Sequence, residues 1–319
     1  MNPTIPKTMK AVVIDKFGGP EVLKVATIPV PKLGEHEVLI RVDTAGIGVW
    51  DPWLRAQGMG GESFPLVLGS DGSGTIVACG SKVKRFKADD HVYGFAFGSP
   101  KGGFYAEYAA ISEEAASPIP ANISIQEAGV LMASGLTALA GLEKLNVGEE
   151  CALMILGASG GVGHVALQLA KRLGARLLAV ASGKDGVELA TRLGADRAVN
   201  GHAAGIEETV RDFAPEGLDA ALVFASSENL MGALKKVKKG GGIAYPNGVE
   251  PKPKGSPGVN VQAFDGTPSA NAFKRLNDLI AKGSFHVEIS RTYKLEEAAQ
   301  AHRDVLKHHI GKLAFRIQD

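Results

Sequence analysis

Short runs of alternating apolar and polar residues fill the first part of the chain. Residues 37–45 (EVLIRVDTA) alternate in the way a half-buried strand requires. Residues 9–15, 74–79 and 91–95 read as further short strands. Glycine-rich turns at 69–74 and 98–103 punctuate them. Many short strands broken by Gly and Pro predict a small barrel or sandwich.

The pattern changes near Ser124. Ser124 and Glu127 have the spacing of a capping box, in which each side chain satisfies the other's backbone N–H. A helical period runs on through Thr137 towards Leu145. From Cys151 onward, apolar runs alternate with helical periods. Strands are expected at 176–181, 195–199, 218–224 and 242–245, and helices at 186–193, 206–213 and 230–237. This alternation predicts an α/β fold, a doubly wound parallel sheet of Rossmann type. Residues 250–258 (EPKPKGSPG) read as a loop, and 259–264 as a last strand of that region. Two helical stretches, 271–281 and 295–306, and a closing strand, 312–317, follow. The expected division is 125–265 for the dinucleotide-binding domain. Residues 1–124 with 266–319 form the other domain, the C-terminal segment completing the first.

The chemistry concentrates where the first apolar run of the second region ends. Gly157, Gly160, Gly161 and Gly163 form a turn, and a helical period with Val165, Leu167, Leu169 and Leu173 follows at once. Strand, glycine turn and helix in this order are the context of a dinucleotide fingerprint. Glycines let the backbone approach a pyrophosphate, and the N–H groups of the helix start hold its charge. Ser159, Gly160, Gly161 and Val162 are therefore expected at the cofactor. An acidic residue at the end of the next strand favours NAD, and a cation there favours NADP. Ser182, Gly183 and Lys184 stand at that place and suit a 2′-phosphate. Asp185 takes the acidic role if the strand ends later.

Charge and cysteine content change this picture little. The net charge of +1 gives no reason to expect a nucleic-acid or acidic-membrane partner. Two cysteines, Cys79 and Cys151, imply no disulfide framework. No apolar stretch has the length of a membrane span or a signal peptide, so a cytoplasmic protein is expected.

Several motifs together resemble one family. They are Met9-Lys10-Ala11-Val12-Val13, residues 17–23 (FGGPEVL), residues 38–46 with Asp51, and the turn at 69–74. Residues 158–163 (ASGGVG), 193–196 (LGAD) and 311–317 (GKLAFRI) complete the set. The chain is similar to the zinc-free quinone oxidoreductases, the zeta-crystallin-like branch of the medium-chain dehydrogenase/reductase superfamily. The resemblance implies a GroES-like β-barrel domain beside the Rossmann domain, use of NADPH, and a homodimer or homotetramer.

Zinc-dependent members of that superfamily carry a ligand cysteine where this chain has Gly48. They carry Gly-His-Glu where it has Gly69, Ser70 and Asp71. A catalytic zinc needs about three converging protein ligands, and none of the eight histidines offers a pair beside a thiolate, so no metal is expected. Acceptors that spread incoming charge over a conjugated system suit such a site. The resemblance thus implies hydride transfer to a quinone or other conjugated carbonyl. An enoyl-thioester or alkenal reductase, and an NADPH-binding protein with little turnover, stay open beside it.

By the same resemblance the substrate loop contains Gly48, Trp50, Asp51 and Trp53. The family's usual Asn and Tyr are replaced by Gly48 and Trp53. Trp50 and Trp53 suit a flat substrate or pack the barrel. Asp51 touches the ligands or, the preferred reading, caps a helix starting near Pro52. Phe95 and Phe104 line the same cleft or belong to the core. Tyr93 is a proton donor only if it faces the cleft; water is the simpler source, and no catalytic side chain is assigned. On the cofactor side the carry-over adds Thr137, Asn200, Ala225, Asn247 and Gly248. Lys312 is expected to reach the 2′-phosphate region from the other domain.

Overall fold

A computed structural model describes residues 5–318. Contacts divide them into two units. One comprises the described residues up to Ala133, Pro268–Phe273 and those from Ile289 onward. The other comprises Ser134–Thr267 and Lys274–Glu288. The sequence placed the breaks at 124 and 265. Two of the four structural breaks, 133/134 and 273/274, fall inside helices, which a reading of linkers passes over.

The first unit is β-rich. Strand β1 (Thr8–Ile14) lies between β2 (Lys24–Pro29) and β4 (Leu66–Val67), antiparallel to both. The long β3 (Glu37–Ile47) leads to helix α1 (Asp51–Gln57). Then come β5 (Asp71–Cys79), β6 (His91–Phe95), β7 (Tyr108–Ser112) and β8 (Ala116–Pro118). β5 pairs with β3 and β6, β7 with β3, and β8 with β6. Val38, Ile40, Val42, Ile76, Val92 and Phe104 meet in the core these strands enclose. Ser124 caps α2 (Ile125–Gly129) through the expected capping box. Residues 130 and 131 interrupt the helical run before α3 (Met132–Lys144).

The second unit is the parallel α/β layer. Its strands are β9 (Ala152–Leu156), β10 (Arg176–Ala181), β11 (Arg197–Asn200), β12 (Leu218–Val223), β13 (Val237–Pro246) and β14 (Asn260–Phe264). Helices α4 (Gly163–Arg172), α5 (Gly183–Arg192), α6 (Ile206–Phe213) and the short α7 (Met231–Leu234) separate the first five. All neighbours are parallel, in the order β11-β10-β9-β12-β13-β14. Counted within the unit this is 3-2-1-4-5-6, the Rossmann order. The strands are wholly apolar where helices cover them; every residue of β9 is buried.

The expected helix at 230–237 is shorter, because β13 begins at Val237. Val237 pairs with Leu218, but Gly242 already pairs with Ala220. The lysines and glycines between them bulge out of register, which hid the strand's first half from a reading of periodicity.

After α8 (Ala270–Ile280) the chain adds β15 (Ile289–Tyr293), α9 (Ala298–Asp304) and β16 (Lys312–Arg316). β16 pairs with β3, and β15 with β16. The C-terminal strand thus adds to the first unit's sheet. No helix among the described residues is long and apolar enough to cross a membrane.

Candidate functional site

The glycine turn lies where β9 meets α4. Gly157 has φ +78°, and its N–H and that of Ala158 both donate to Val180 O of β10. A Cβ on Gly163 would sit 2.0 Å from Gly157 O, so only glycine lets α4 begin this close to the turn. A Cβ on Gly160 would meet only Gly157 O, at 3.5 Å; the space above the turn is open there. The first N–H groups of a helix have no intrahelical partner and carry positive partial charge. The turn, the helix start and Gly161 and Val162 between them leave backbone N–H groups and space that suit a pyrophosphate.

The sheet order reverses between β9 and β12, and ligands of such sheets lie in the crevice beyond that point. Ala225, just after β12, stands there: a Cβ on Gly157 would lie 3.0 Å from its own. Next to it the Ser226 hydroxyl oxygen is buried with no hydrogen-bond partner. An orphaned buried hydroxyl at the switch point fits a ligand group placed against it.

Ser159 is buried, and its hydroxyl accepts the N–H of Ser182 at 3.3 Å. It therefore ties the glycine turn to the end of β10 rather than presenting its side chain outward. Gly183, φ +73°, opens α5. Ser182 Oγ lies 3.1 Å from His202 Nε2. The Lys184 side chain is 93% exposed and 3.7 Å from Glu188. Asp185 lies in the first turn of α5, and its carboxylate accepts the N–H of Gly186 at 2.9 Å. A hydroxyl and an imidazole thus meet at the end of β10, while the Lys184 ammonium lies beside Glu188 and Asp185 serves its own helix start. Sequence reading passed over His202. Only the return of the chain after β11 brings it to Ser182; Asn200, ending β11, fixes that return by accepting the N–H of His202.

At the end of β13 the Asn247 amide donates to Asp265 at 2.7 Å. Gly248, φ +92°, has open space where a Cβ would be. Thr137 lies on α3, against the segment of Gly266.

The predicted substrate residues fall in the first unit, and several change meaning. Asp51 does not cap α1. Trp50 holds the cap position, and Asp51 is the first helical residue. Its carboxylate is fully buried and accepts the Gly48 N–H at 2.8 Å and the Tyr105 hydroxyl at 2.5 Å. Its other oxygen has no partner. Burial raises its pKa to about 6, against the lowering by those two hydrogen bonds. Asp71 is equally buried, with one oxygen on the Ala133 N–H and the other unpartnered; burial raises its pKa as well. Burial and the Asp51 carboxylate push the Tyr105 phenol up.

Lys312 belongs to this cluster, which corrects its expected role. It is only 4% exposed, its ammonium 5.5 Å from the Trp50 ring centre, and its charge lowers the pKa of both acids. Buried beside the Trp50 ring, it is not free for a 2′-phosphate. Trp50 in turn donates its indole N–H to Ser70 Oγ at 2.7 Å. A Cβ on Gly48 would lie 2.3 Å from the indole, so the ring occupies the space that a side chain at 48 needs.

Phe104 is core: it is fully buried, and a Cβ on Gly72 would fall 2.4 Å from its ring. Tyr93 is fully buried too, and burial pushes its phenol up, which corrects its candidacy as a proton donor. Phe95 is half-buried and stacks on Phe97 at 6.1 Å; Trp53 is an exposed residue of α1. A cavity of about 250 Å³ opens between residues 58–63 and 96–100, and Ser70 lines it. Among the described residues no three His, Cys, Asp or Glu side chains form a metal-ligand group.

Comparison with known proteins places these features. Residues 34–121 match the family described as alcohol dehydrogenase GroES-like domain, and 161–281 that described as zinc-binding dehydrogenase. The chain is 31% identical to the quinone oxidoreductase of Mus musculus, over 96% of each chain. It is 34% identical to the chloroplastic NADPH-dependent alkenal/one oxidoreductase of Arabidopsis thaliana, over 88% of this chain and 71% of that one. The solved quinone oxidoreductase of Coxiella burnetii matches its fold with a TM-score of 0.82 at 28% identity, over 98% of this chain and all of the other.

Proposed function

Because the chain belongs to the quinone oxidoreductase branch of the medium-chain dehydrogenase/reductase superfamily, we propose that it uses NADPH to reduce quinones or other conjugated carbonyl compounds, without zinc. The observation that carries the zinc-free reading is the seat of Trp50. Its indole lies over Gly48 and donates to Ser70, at the two positions where the resemblance puts a cysteine and a histidine ligand. An isolated carbonyl gains from a Lewis acid as charge builds on one oxygen. A conjugated acceptor delocalises that charge, so orientation and hydrogen bonds suffice.

The residues at the end of β10 support NADPH. Lys184 and the Ser182 hydroxyl can meet a 2′-phosphate, with His202 beside them; Asp185 is taken up by the Gly186 N–H, and Glu188 is the acid next to Lys184. Bound at the glycine turn, the dinucleotide supplies the hydride, and the protein supplies position and electrostatics. Names of relatives point to two acceptor classes, quinones and alkenals or enones. β14 is the last strand of the six-stranded sheet, and an edge strand of this kind suits pairing with a second copy of the chain, which favours a homodimer. The free thiols of Cys79 and Cys151 suit the cytoplasm.

The direct test follows NADPH oxidation with 9,10-phenanthrenequinone, 3-penten-2-one and a crotonyl thioester, before and after dialysis against a chelator. Turnover of the quinone or the enone, unchanged by the chelator, is expected. Turnover of the thioester alone selects the enoyl reductase. Binding of NADPH without oxidation by any acceptor, or activity that chelation removes and zinc restores, overturns the proposal.

A further inference from the structure

Ser70 lines the 250 Å³ cavity of the first unit, whose walls include Leu54, Met59, Leu68 and Phe97. Four polar side chains share that lining: Glu62, Ser63, Ser70 and Ser99. Ser70 alone among them is buried. Glu62 is taken up by the N–H groups of Met59 and Gly60, and the Ser99 hydroxyl accepts the N–H of Lys101.

The hydrogen-bond direction at Ser70 is settled by chemistry. An indole nitrogen only donates, so Ser70 Oγ is the acceptor in its 2.7 Å bond with Trp50. The serine's own proton is left for another acceptor, and among the described residues Ser70 Oγ makes no second hydrogen bond. A hydroxyl that accepts an N–H becomes a stronger donor, because the two bonds polarise each other. The residue is also held in place: its carbonyl accepts the Ala96 N–H at 2.6 Å, and Trp50 lies between Gly48 and the Lys312 ammonium.

We propose that Ser70 is a catalytic residue, the donor to the acceptor's carbonyl oxygen, and that Trp50 is the residue that positions it. The inference rests on the conjugated-carbonyl reading above. Hydride adds to the far carbon of the C=C–C=O unit, forming a C–H bond and breaking the carbon–carbon π bond. The displaced pair moves through the conjugated system onto oxygen. The two electrons come from reduced nicotinamide, which is left oxidised. The enolate oxygen so formed receives the Ser70 hydrogen bond. A proton from water then completes the saturated carbonyl, and Ser70 keeps its own. A donor already held in place stabilises this developing charge without reorganising. It also supplies what Gly48 and Trp53 lack, since neither offers the polar group found at those positions in similar quinone reductases.

The test combines turnover of 3-penten-2-one and 9,10-phenanthrenequinone with binding of 4-nitrophenol, an oxyanion ligand that takes no hydride, read from its phenolate absorbance. Ser70→Ala should lower kcat about 100-fold, the scale of losing one oxyanion donor, with KM and NADPH affinity nearly unchanged. It should weaken 4-nitrophenolate roughly 10-fold. Ser70→Thr, which keeps the hydroxyl, should restore most of both. Trp50→Phe should lower kcat by about 5- to 10-fold in the wild-type background and not at all in Ser70→Ala, as expected of two groups acting as a unit. Equal kcat and equal 4-nitrophenolate affinity in wild type and Ser70→Ala overturn the assignment. So do equal losses in Ser70→Ala and Ser70→Thr. A wild type inert towards both acceptors sinks the conjugated-carbonyl reading instead, and the 4-nitrophenolate comparison then decides Ser70 alone.

Discussion

The glycine turn of the second unit and the acid cluster of the first handle charge in opposite ways. The turn offers an anion backbone alone: a helix start, open space over Gly160, and a close approach that Gly163 permits. It needs no titratable group, and the residues that shape it are neighbours in sequence. The cluster encloses charge in side chains: Asp51, Asp71 and Lys312 converge on Trp50 and Tyr105 from α1, β5, β16 and the segment before β7. Burial away from water raises both carboxyl pKa values despite the lysine, which lowers each of them. A backbone site is inexpensive to keep and intolerant of a single methyl group. A side-chain site costs stability and is set by long-range folding.

The largest effect expected from breaking this contrast is at the turn. In Gly163→Val the new Cβ would fall 2.0 Å from the backbone oxygen of Gly157, where no flexible side chain can yield. The turn and the start of α4 must separate, at a cost of about 3 kcal/mol or more in overpacking strain. Binding of NADPH and NADH should both fall by at least about 100-fold. Fluorescence titration of the two cofactors measures this; a variant that binds either with native affinity removes the turn from the cofactor site.

The turn was legible because its signal is local. Strand, glycines and helix follow one another within about twenty residues, and the structure keeps that order. The Rossmann strands that are apolar throughout were legible for the same reason. β2, β7, β8 and β15 were not: β2 has no buried residue, and β7 and β8 are short and rich in small side chains. The acid cluster escaped sequence reading in a more instructive way. An Asp before a Pro reads as a helix cap, yet the carboxylate of Asp51 turns to Tyr105, 54 positions along. Lys312 reads as a surface cation until β16 closes the sheet on β3 and buries it. Ser70 carried a signal, its place in a position where related enzymes hold a metal ligand. Its partner Trp50 could be found only in three dimensions.

A smaller effect separates the turn from its edge. The turn treats NADPH and NADH alike, whereas Lys184 faces only the 2′-phosphate in the proposed site. Lys184→Ala should weaken NADPH by about 10- to 100-fold, the worth of one charge-assisted contact, and NADH by less than about 2-fold. His202→Gln should follow in the same direction with a smaller loss, since Ser182 and Lys184 remain. Isothermal titration with both cofactors decides it. Equal losses of NADPH and NADH in Lys184→Ala would show that the lysine supports the fold of α5 rather than the phosphate.

The smallest effect tests the cost of the acid cluster. Asp51 has a folded pKa of about 6, raised by burial from 3.8. Between those values the folded protein holds a proton that the unfolded chain has released. Stability therefore falls as pH rises through this window and levels off above it. The full linkage is on the order of 2–3 kcal/mol, from about two pKa units at 1.36 kcal/mol each. Asp51→Asn keeps an acceptor for the Gly48 N–H and the Tyr105 hydroxyl but cannot ionise. Near pH 4 the two proteins should unfold at similar urea concentrations. Near pH 8 the variant should be the more stable, with the gap opening between pH 4 and 6. The Asp71 charge raises the Asp51 pKa, so removing the Asp51 charge also eases the ionisation of Asp71 and widens the gap at high pH. Parallel curves from pH 4 to 8 would mean that Lys312 fully compensates Asp51, and that the first unit carries its buried charge without the cost that distinguishes it from the turn.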